Sequence, residues 1–255
     1  MRKATRMIRP LTTSRFQEEM LRVMDRKHHW AWPRFTDGTA TVVQLKQHFQ
    51  QEYAVYVRDF PVLLARIHGH NPPQSVRRML AENIYEEDTG GLSLGKSHPE
   101  LFLQMMGGLG YPARTFEDVR LLPAARRYRA WLERASHHRE WVVGAAVMTV
   151  FVEGSIKDRK ELAEPSKPRT PEEIESTVQQ HPLVRHYGLP QDAMDLIRSH
   201  QMVEAGHRHD AYHMVVNHAK TRSQQETILR SLNRSLKLWI AYRDGVARAC
   251  GIHKR

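Results

Sequence analysis

Three side chains able to bind metal, His200, Glu204 and His207, fall four and then three residues apart in IRSHQMVEAGHRHDAYHMV, the stretch from Ile197 to Val215. On an α-helix, with about 3.6 residues per turn, those offsets stack the three in one narrow stripe. Met202, Val203 and Ala205 flank the stripe, so the face carrying the ligand candidates is one that a core can cover. An imidazole, a carboxylate and a second imidazole on one inward face is a typical helix contribution to an iron or zinc site. The plainer reading is a solvated helix face in a chain with 16 histidines.

A carboxylate-rich metal site in a helical bundle takes ligands from several helices, all projecting inward. Glu86 and Glu87 end one helical pattern just before a glycine-rich loop; being adjacent, only one of them is expected to face inward. His98 opens the next helix, and the glycines between let the chain return to the same place. Glu153 follows the apolar run Met148, Val150, Phe151 and Val152, where an ionised carboxylate is costly unless a cation or metal pairs with it. The competing reading for Glu153 is a helix end surfacing into the charged segment Lys157-Asp158-Arg159-Lys160.

The elements that must position these residues read as helices throughout. A helix capped by Ser14 carries Phe16, Met20, Leu21, Val23 and Met24 at helical spacing. Thr41 opens a long pattern to about His68, in which Pro61 predicts a kink or break. Ser75 restarts a helix to about Glu87, His98 starts one that stops at Gly107-Gly108, and Pro123 precedes another. Trp141 to Glu153 is the most apolar and is expected at the centre. Residues 157–182, with Pro165, Pro168, Pro171 and Pro182, read as a connection with at most one short helix. Asp192 opens the helix of the ligand stripe, and Ser223 caps the last. No alternating strand or internal repeat is readable, so the fold expected is a compact all-α bundle, one domain over 14–255 behind a basic lead-in over 1–13.

Composition bounds the partners. The chain has 255 residues, 40% hydrophobic and 26% charged, which suits a soluble globular protein. Its longest apolar run, Trp141 to Val152, is twelve residues, short of the ~18–20 that span a bilayer. The basic start lacks an apolar signal region, and a single cysteine, Cys250, permits no internal disulfide, so the cytoplasm is the expected compartment. The formal charge of +11 raises nucleic acid as a partner, but basic and acidic residues interleave and no groove-reading motif is present. A solvated basic surface, or attraction of an anionic small substrate, is the better account; a basic helical binding or regulatory protein is the alternative.

Other chemistry-bearing residues carry plainer readings. GGLSLGKS, Gly90 to Ser97, fits the phosphate-loop pattern, yet an acidic helical segment leads into it and no parallel sheet accompanies it, so the match is taken as chance. Trp30 and Trp32, beside His28 and His29, read as a packed helix end; Tyr53 and Tyr56 lie on a core-forming helix and read as packing residues, with Tyr53 a candidate to approach the site. His209 and His213 point away from the stripe, and His181 and His186 read as structural.

ENIYEEDTGG, then SHPELFLQMMGGLG, VFVEGSI, HPLVRHYGL and HQMVEAGHRHDAYHMV resemble, in this order and over about half the chain, the haem-oxygenase-like iron-containing redox enzymes, relatives of pyrroloquinoline-quinone synthase and the TenA proteins. The resemblance implies a seven- to eight-helix bundle around a cofactor-sized cavity, holding one or two non-haem irons that activate O2 for oxidation of a small molecule, with room for a homodimer. It implies the ligands Glu87 (or its neighbour Glu86), His98, Glu153, Glu204 and His207, with His200 one turn earlier as a ligand or its support. One departure is Glu204, where such proteins more often have aspartate; another is Cys250, too near the end for the thiaminase nucleophile. A metal-free quinone-synthase-like enzyme of the same fold stands as the runner-up.

Overall fold

The computed structural model describes residues 9–164, 167–203 and 207–254, and among them every regular element is helical. The first is α1, Thr13–Met24, whose cap is Thr12 rather than Ser14: the Thr12 hydroxyl accepts the Arg15 N–H. A short α2, Trp32–Thr36, leads to α3, Val42–Glu52, started by a reciprocal capping box between Thr41 and Gln44. A π turn over Tyr53–Val57 follows, and α4 restarts as Phe60–Gly69 with Pro61 in its first turn. The break expected at Pro61 is therefore real. It falls just before the proline, where a missing N–H costs nothing.

Helix α5, Gln74–Thr89, ends on Gly90 at φ 61°. A Cβ there would lie 2.1 Å from the Lys96 carbonyl oxygen, so only glycine fits this turn. Helix α6, His98–Gly108, opens with a Ser97/Glu100 capping box, and α7, Pro123–Ser136, with its proline. The apolar α8, Trp141–Ala145, runs on into a π segment over Ala146–Val152 whose residues to Phe151 are all buried, which makes it the centre of the core as expected.

The charged stretch after it holds two helices rather than one, α9, Asp158–Ala163, and α10, Pro171–Gln180, before α11, Pro182–Tyr187. Pro171 and Pro182 start helices here instead of interrupting them, Pro171 behind a Thr170/Glu173 capping box. Helix α12, Asp195–Val203, starts three residues after the expected Asp192, which lies in a 3-10 turn; α12 carries His200, and α13, His207–His218, carries His207. Finally α14, Arg222–Ala249, capped by Thr221, is long enough to run about 42 Å along the bundle. It packs on α7, where the Trp131 indole N–H donates to Ser235 Oγ at 2.8 Å and Tyr128 stacks on Tyr242.

Candidate metal centre

A cavity of about 580 Å³, the size of a small-molecule site, lies where α3–α6, the end of the central helix, α12 and α13 meet. Glu87, His98, Glu153, His200 and His207 all line it. Glu204 lies outside the described residues, so the continuity of the stripe from His200 to His207 is not part of what the structure describes.

Both members of the glutamate pair reach this cavity, against the expectation that one would turn away, and the reason is a division of labour. Glu86 is 1% exposed and its carboxylate is filled by protein donors. Leu92 N–H gives 2.8 Å to Oε2, while the Ser93 and Ser199 hydroxyls donate to Oε1. His98 Nε2 completes the set, 3.3 Å from Glu86 Oε1 and 2.9 Å from Ser199 Oγ. Burial raises the Glu86 pKa, but these hydrogen bonds outweigh it and hold the carboxyl below its usual value. The glycine-rich loop thus uses its N–H and hydroxyl to grip a carboxylate of its own chain, not a phosphate.

Glu87 is left facing the other ring nitrogen. Its Oε1 is 3.0 Å from His98 Nδ1, yet out of line for a hydrogen bond, so Nδ1 is buried without one. The His200 ring stands edge-on to His98 at 4.8 Å between centroids. Burial, and then the positive charge at His98, lower the His200 pKa to about 4, so its ring is neutral at pH 7. A neutral imidazole is the form that ligates a metal.

Glu153 comes to the cavity at the end of the π segment, a common place for functional side chains. Asn83 Nδ2 donates to its Oε1 at 2.9 Å, and Arg208 Nη2 lies 3.5 Å from Oε2 while Nη1 donates to the Thr149 carbonyl. Lys27 Nζ donates to the carbonyls of Phe151, Val152 and Gly154, pinning the backbone on both sides of Glu153. A smaller cavity of about 60 Å³ shares Asn83, Glu153 and His207 with the large one.

The donor types suit iron: carboxylates and imidazoles, with a buried ring nitrogen held beside a carboxylate. Among the described residues, no group of three His, Cys, Asp or Glu side chains is drawn together as a finished metal cage. The set is therefore of the right chemistry, but not closed on a point by the residues described.

The remaining sequence candidates are placed as follows. Tyr53 stacks on Phe102 and does not line the cavity; Tyr56 does. Trp32 also lines it, whereas Trp30 and His29 bind Asp244. His181 caps α11 through Leu183 N–H, a structural role, and His213 is exposed. His209 is half-buried, its Nε2 3.2 Å from the Glu161 carbonyl oxygen. Glu52, Asn83, Ser199 and Arg208 are site residues that the sequence did not single out. Of these, Arg208 carried a visible signal, its place beside His207.

A model of the iron-containing redox enzymes matches residues 47–240. The chain belongs to this family. It also matches a 4-aminobenzoate synthase of Chlamydia pneumoniae with 23% identity over 123 residues, which is 48% of this chain and 53% of the relative, so the chain spans about half the length of that relative. Two solved structures share the fold. A TenA homologue of Pseudomonas syringae pv. tomato superposes with a TM-score of 0.70 at 12% identity, covering 92% of each chain. A domain of unknown function with a haem-oxygenase-like fold from Shewanella denitrificans gives 0.60 at 15% identity, over 93% of this chain and 89% of the other. The chain thus has an all-helical, haem-oxygenase-like fold. No helix among the described residues is long and apolar enough to cross a membrane.

Proposed function

We propose that this protein is an O2-dependent oxidoreductase that holds one or two non-haem irons with Glu87, His98, Glu153, His200, Glu204 and His207 and oxidises a small molecule in the cavity. The observation that carries the reading is the group at one wall of the cavity: a buried, unsatisfied His98 Nδ1 beside the Glu87 carboxylate, with the neutral ring of His200 against them. Ferrous iron bound there would supply the electrons that dioxygen needs to react.

The protein's own part is positioning. Glu86 and Ser199 take the proton of His98 Nε2, which fixes the ring and leaves Nδ1 to the metal; Glu86 supports the site and Glu87 is the ligand. Asn83, Arg208 and Lys27 hold Glu153 and its backbone. Val57, Phe60, Val152, Leu196, Ile197 and Val203 give the chamber an apolar surface for the body of a substrate. Arg208 is the single Lys or Arg among the described lining residues, and its charge faces Glu153 Oε2 at 3.5 Å.

The test is anaerobic reconstitution with ferrous iron, metal analysis and the optical change on admitting O2. Wild type is expected to retain iron and both Glu204→Ala and His207→Ala to lose it. Retention unchanged in the two variants, or none in wild type, would sink the proposal. The open arrangement of the described donors favours one rival, a metal-free enzyme of the same fold, which predicts turnover in the presence of chelator.

A further inference from the structure

A second polar cluster reaches the same cavity from helices that carry none of the proposed ligands. Glu52 ends α3, and Tyr56 sits one turn later in the π turn over Tyr53–Val57; both line the cavity. Glu52 Oε1 accepts from the Tyr56 hydroxyl and from Arg243 Nη2 at 2.9 Å, and Oε2 lies 3.2 Å from His48 Nε2. Tyr56 in turn accepts from Arg243 Nη2 at 3.2 Å.

Counting donors and acceptors shows what this wall can still do. The Tyr56 hydroxyl has one proton and two lone pairs. Its proton goes to Glu52 and one lone pair to Arg243, so one lone pair is left. An ionised carboxylate accepts about four hydrogen bonds, and Glu52 meets three groups. Together the pair presents free acceptors and no free proton. Arg243 does not line the cavity: its side chain is 6% exposed, with the guanidinium 5.0 Å from the Trp32 and Tyr242 rings and 5.4 Å from Trp239. Its Nε and Nη1 groups meet no oxygen and lie among those rings. The charges of Glu52 and Arg243 cancel, and burial keeps His48 neutral, so what remains to be read at this wall is hydrogen-bond polarity rather than charge.

We propose that the Glu52–Tyr56 wall is a substrate subsite for a hydrogen-bond-donating group, an O–H or N–H carried on an apolar or aromatic body. Trp32, Val57 and Phe60 supply the surface for that body. An acceptor placed here, such as an ether oxygen, meets only lone pairs and loses the hydrogen bonds it had in water. The inference rests on the reading of this cavity as the substrate chamber, and it does not require iron. A purely structural role, tying α3 to α14 through Glu52 and Arg243, predicts no such preference.

The test is ligand-observed NMR titration of the metal-free full chain with 4-methylphenol and 4-methylanisole, which differ in replacing the O–H by O–CH3. Wild type is expected to bind the phenol about ten-fold more tightly, the effect of a hydrogen bond of roughly 1.4 kcal/mol. Glu52→Gln, which adds an N–H donor to the wall, is expected to bring the ratio near one. Tyr56→Phe is expected to keep a preference for the phenol, because it returns Glu52 Oε1 to the cavity. Val57→Trp, which narrows the cavity beside this wall, is expected to weaken both bindings. Equal or stronger binding of the anisole by wild type overturns the proposal, and needs no variant to fold. A donor preference that persists in a folded Glu52→Gln protein overturns it too. Because the protein is metal-free, these outcomes are independent of whether iron is retained.

Discussion

Glu86 and His98 are joined twice, directly from Nε2 to Oε1 at 3.3 Å and through Ser199 Oγ, 2.9 Å from Nε2 and 3.1 Å from Oε1. The double link fixes which nitrogen of His98 carries the proton and which way the ring faces. It predicts different fates for the two adjacent glutamates. Glu87→Gln is expected to abolish stoichiometric iron binding. Glu86→Gln is expected to keep a site that is about 10–100-fold weaker, the usual cost of losing a ligand's supporting partner. A ferrous titration of both variants checks this, and equal losses would show that Glu86 binds the metal as well.

Iron uptake should depend on pH through His98. Burial of the ring pushes its pKa down, but the contacts with Glu87 and then Glu86 outweigh burial and leave it above 6.5. In the metal-free protein the ring therefore stays charged past pH 6.5, and its pairing adds stability that is full below 6.5 and fades as pH rises through the raised value. If iron binds through His98 as proposed, it takes the unprotonated Nδ1, so ferrous affinity should climb over the same interval. Isothermal titrations at a series of pH values check the slope. Glu87→Gln should move both the stability loss and any residual uptake to lower pH.

The buried cluster around Glu52 sets an acid limit on the fold. Burial raises the Glu52 pKa, but the Arg243 charge and the contacts with His48 and Tyr56 overcome this and hold it well below 4.5. A depressed carboxyl contributes stability above its unfolded value, and that contribution is lost as pH falls below about 4.5 toward the folded one. Glu52→Gln strands the Arg243 charge, which should cost about 3 kcal/mol near neutral pH. The variant should also lose less additional stability on acidification than wild type. Urea melts at neutral and acidic pH measure both effects, and parallel losses in the two proteins would refute the assignment.

Helix signals survived from sequence to structure because they are local. Thr41 starts its helix with the side chain of Gln44 and Pro61 marks the break without any tertiary help, whereas the caps expected at Ser14 and Ser223 fall two residues earlier, on Thr12 and Thr221. The ligand candidates stood out for a related reason, since the spacing of His200 and His207 and the glycine-rich return between Glu87 and His98 are local features of the sequence. Their supports were not. Ser199 meets Glu86 across 113 residues, Arg243 meets Glu52 across 191, and neither pairing leaves a mark in local spacing. The roles within the Glu86-Glu87 pair were hidden too, because they depend on the loop at Leu92 and Ser93 folding back onto one carboxylate. Tyr53 reads from sequence as a packing residue and a candidate to approach the site; it packs on Phe102, and Tyr56, later in the same π turn, lines the cavity instead.

Lys27 provides the last prediction, because its position ties the fold to the site. Its amino group sits at the C-terminal end of the central helix and bonds the carbonyls of Phe151, Val152 and Gly154, while burial pushes its pKa down to about 7. Gly154 permits this close turn, since a Cβ would lie 2.1 Å from the Val150 carbonyl oxygen. Lys27→Met keeps the apolar stem but leaves three carbonyls without their donor. It should destabilise the metal-free protein by about 1–3 kcal/mol, seen as a drop of several degrees in Tm. Because the bonded carbonyls flank Glu153, iron affinity should fall as well, at temperatures where the variant is still folded. A lowered Tm with wild-type iron affinity would confine Lys27 to stability and leave Asn83 and Arg208 to position Glu153 without it.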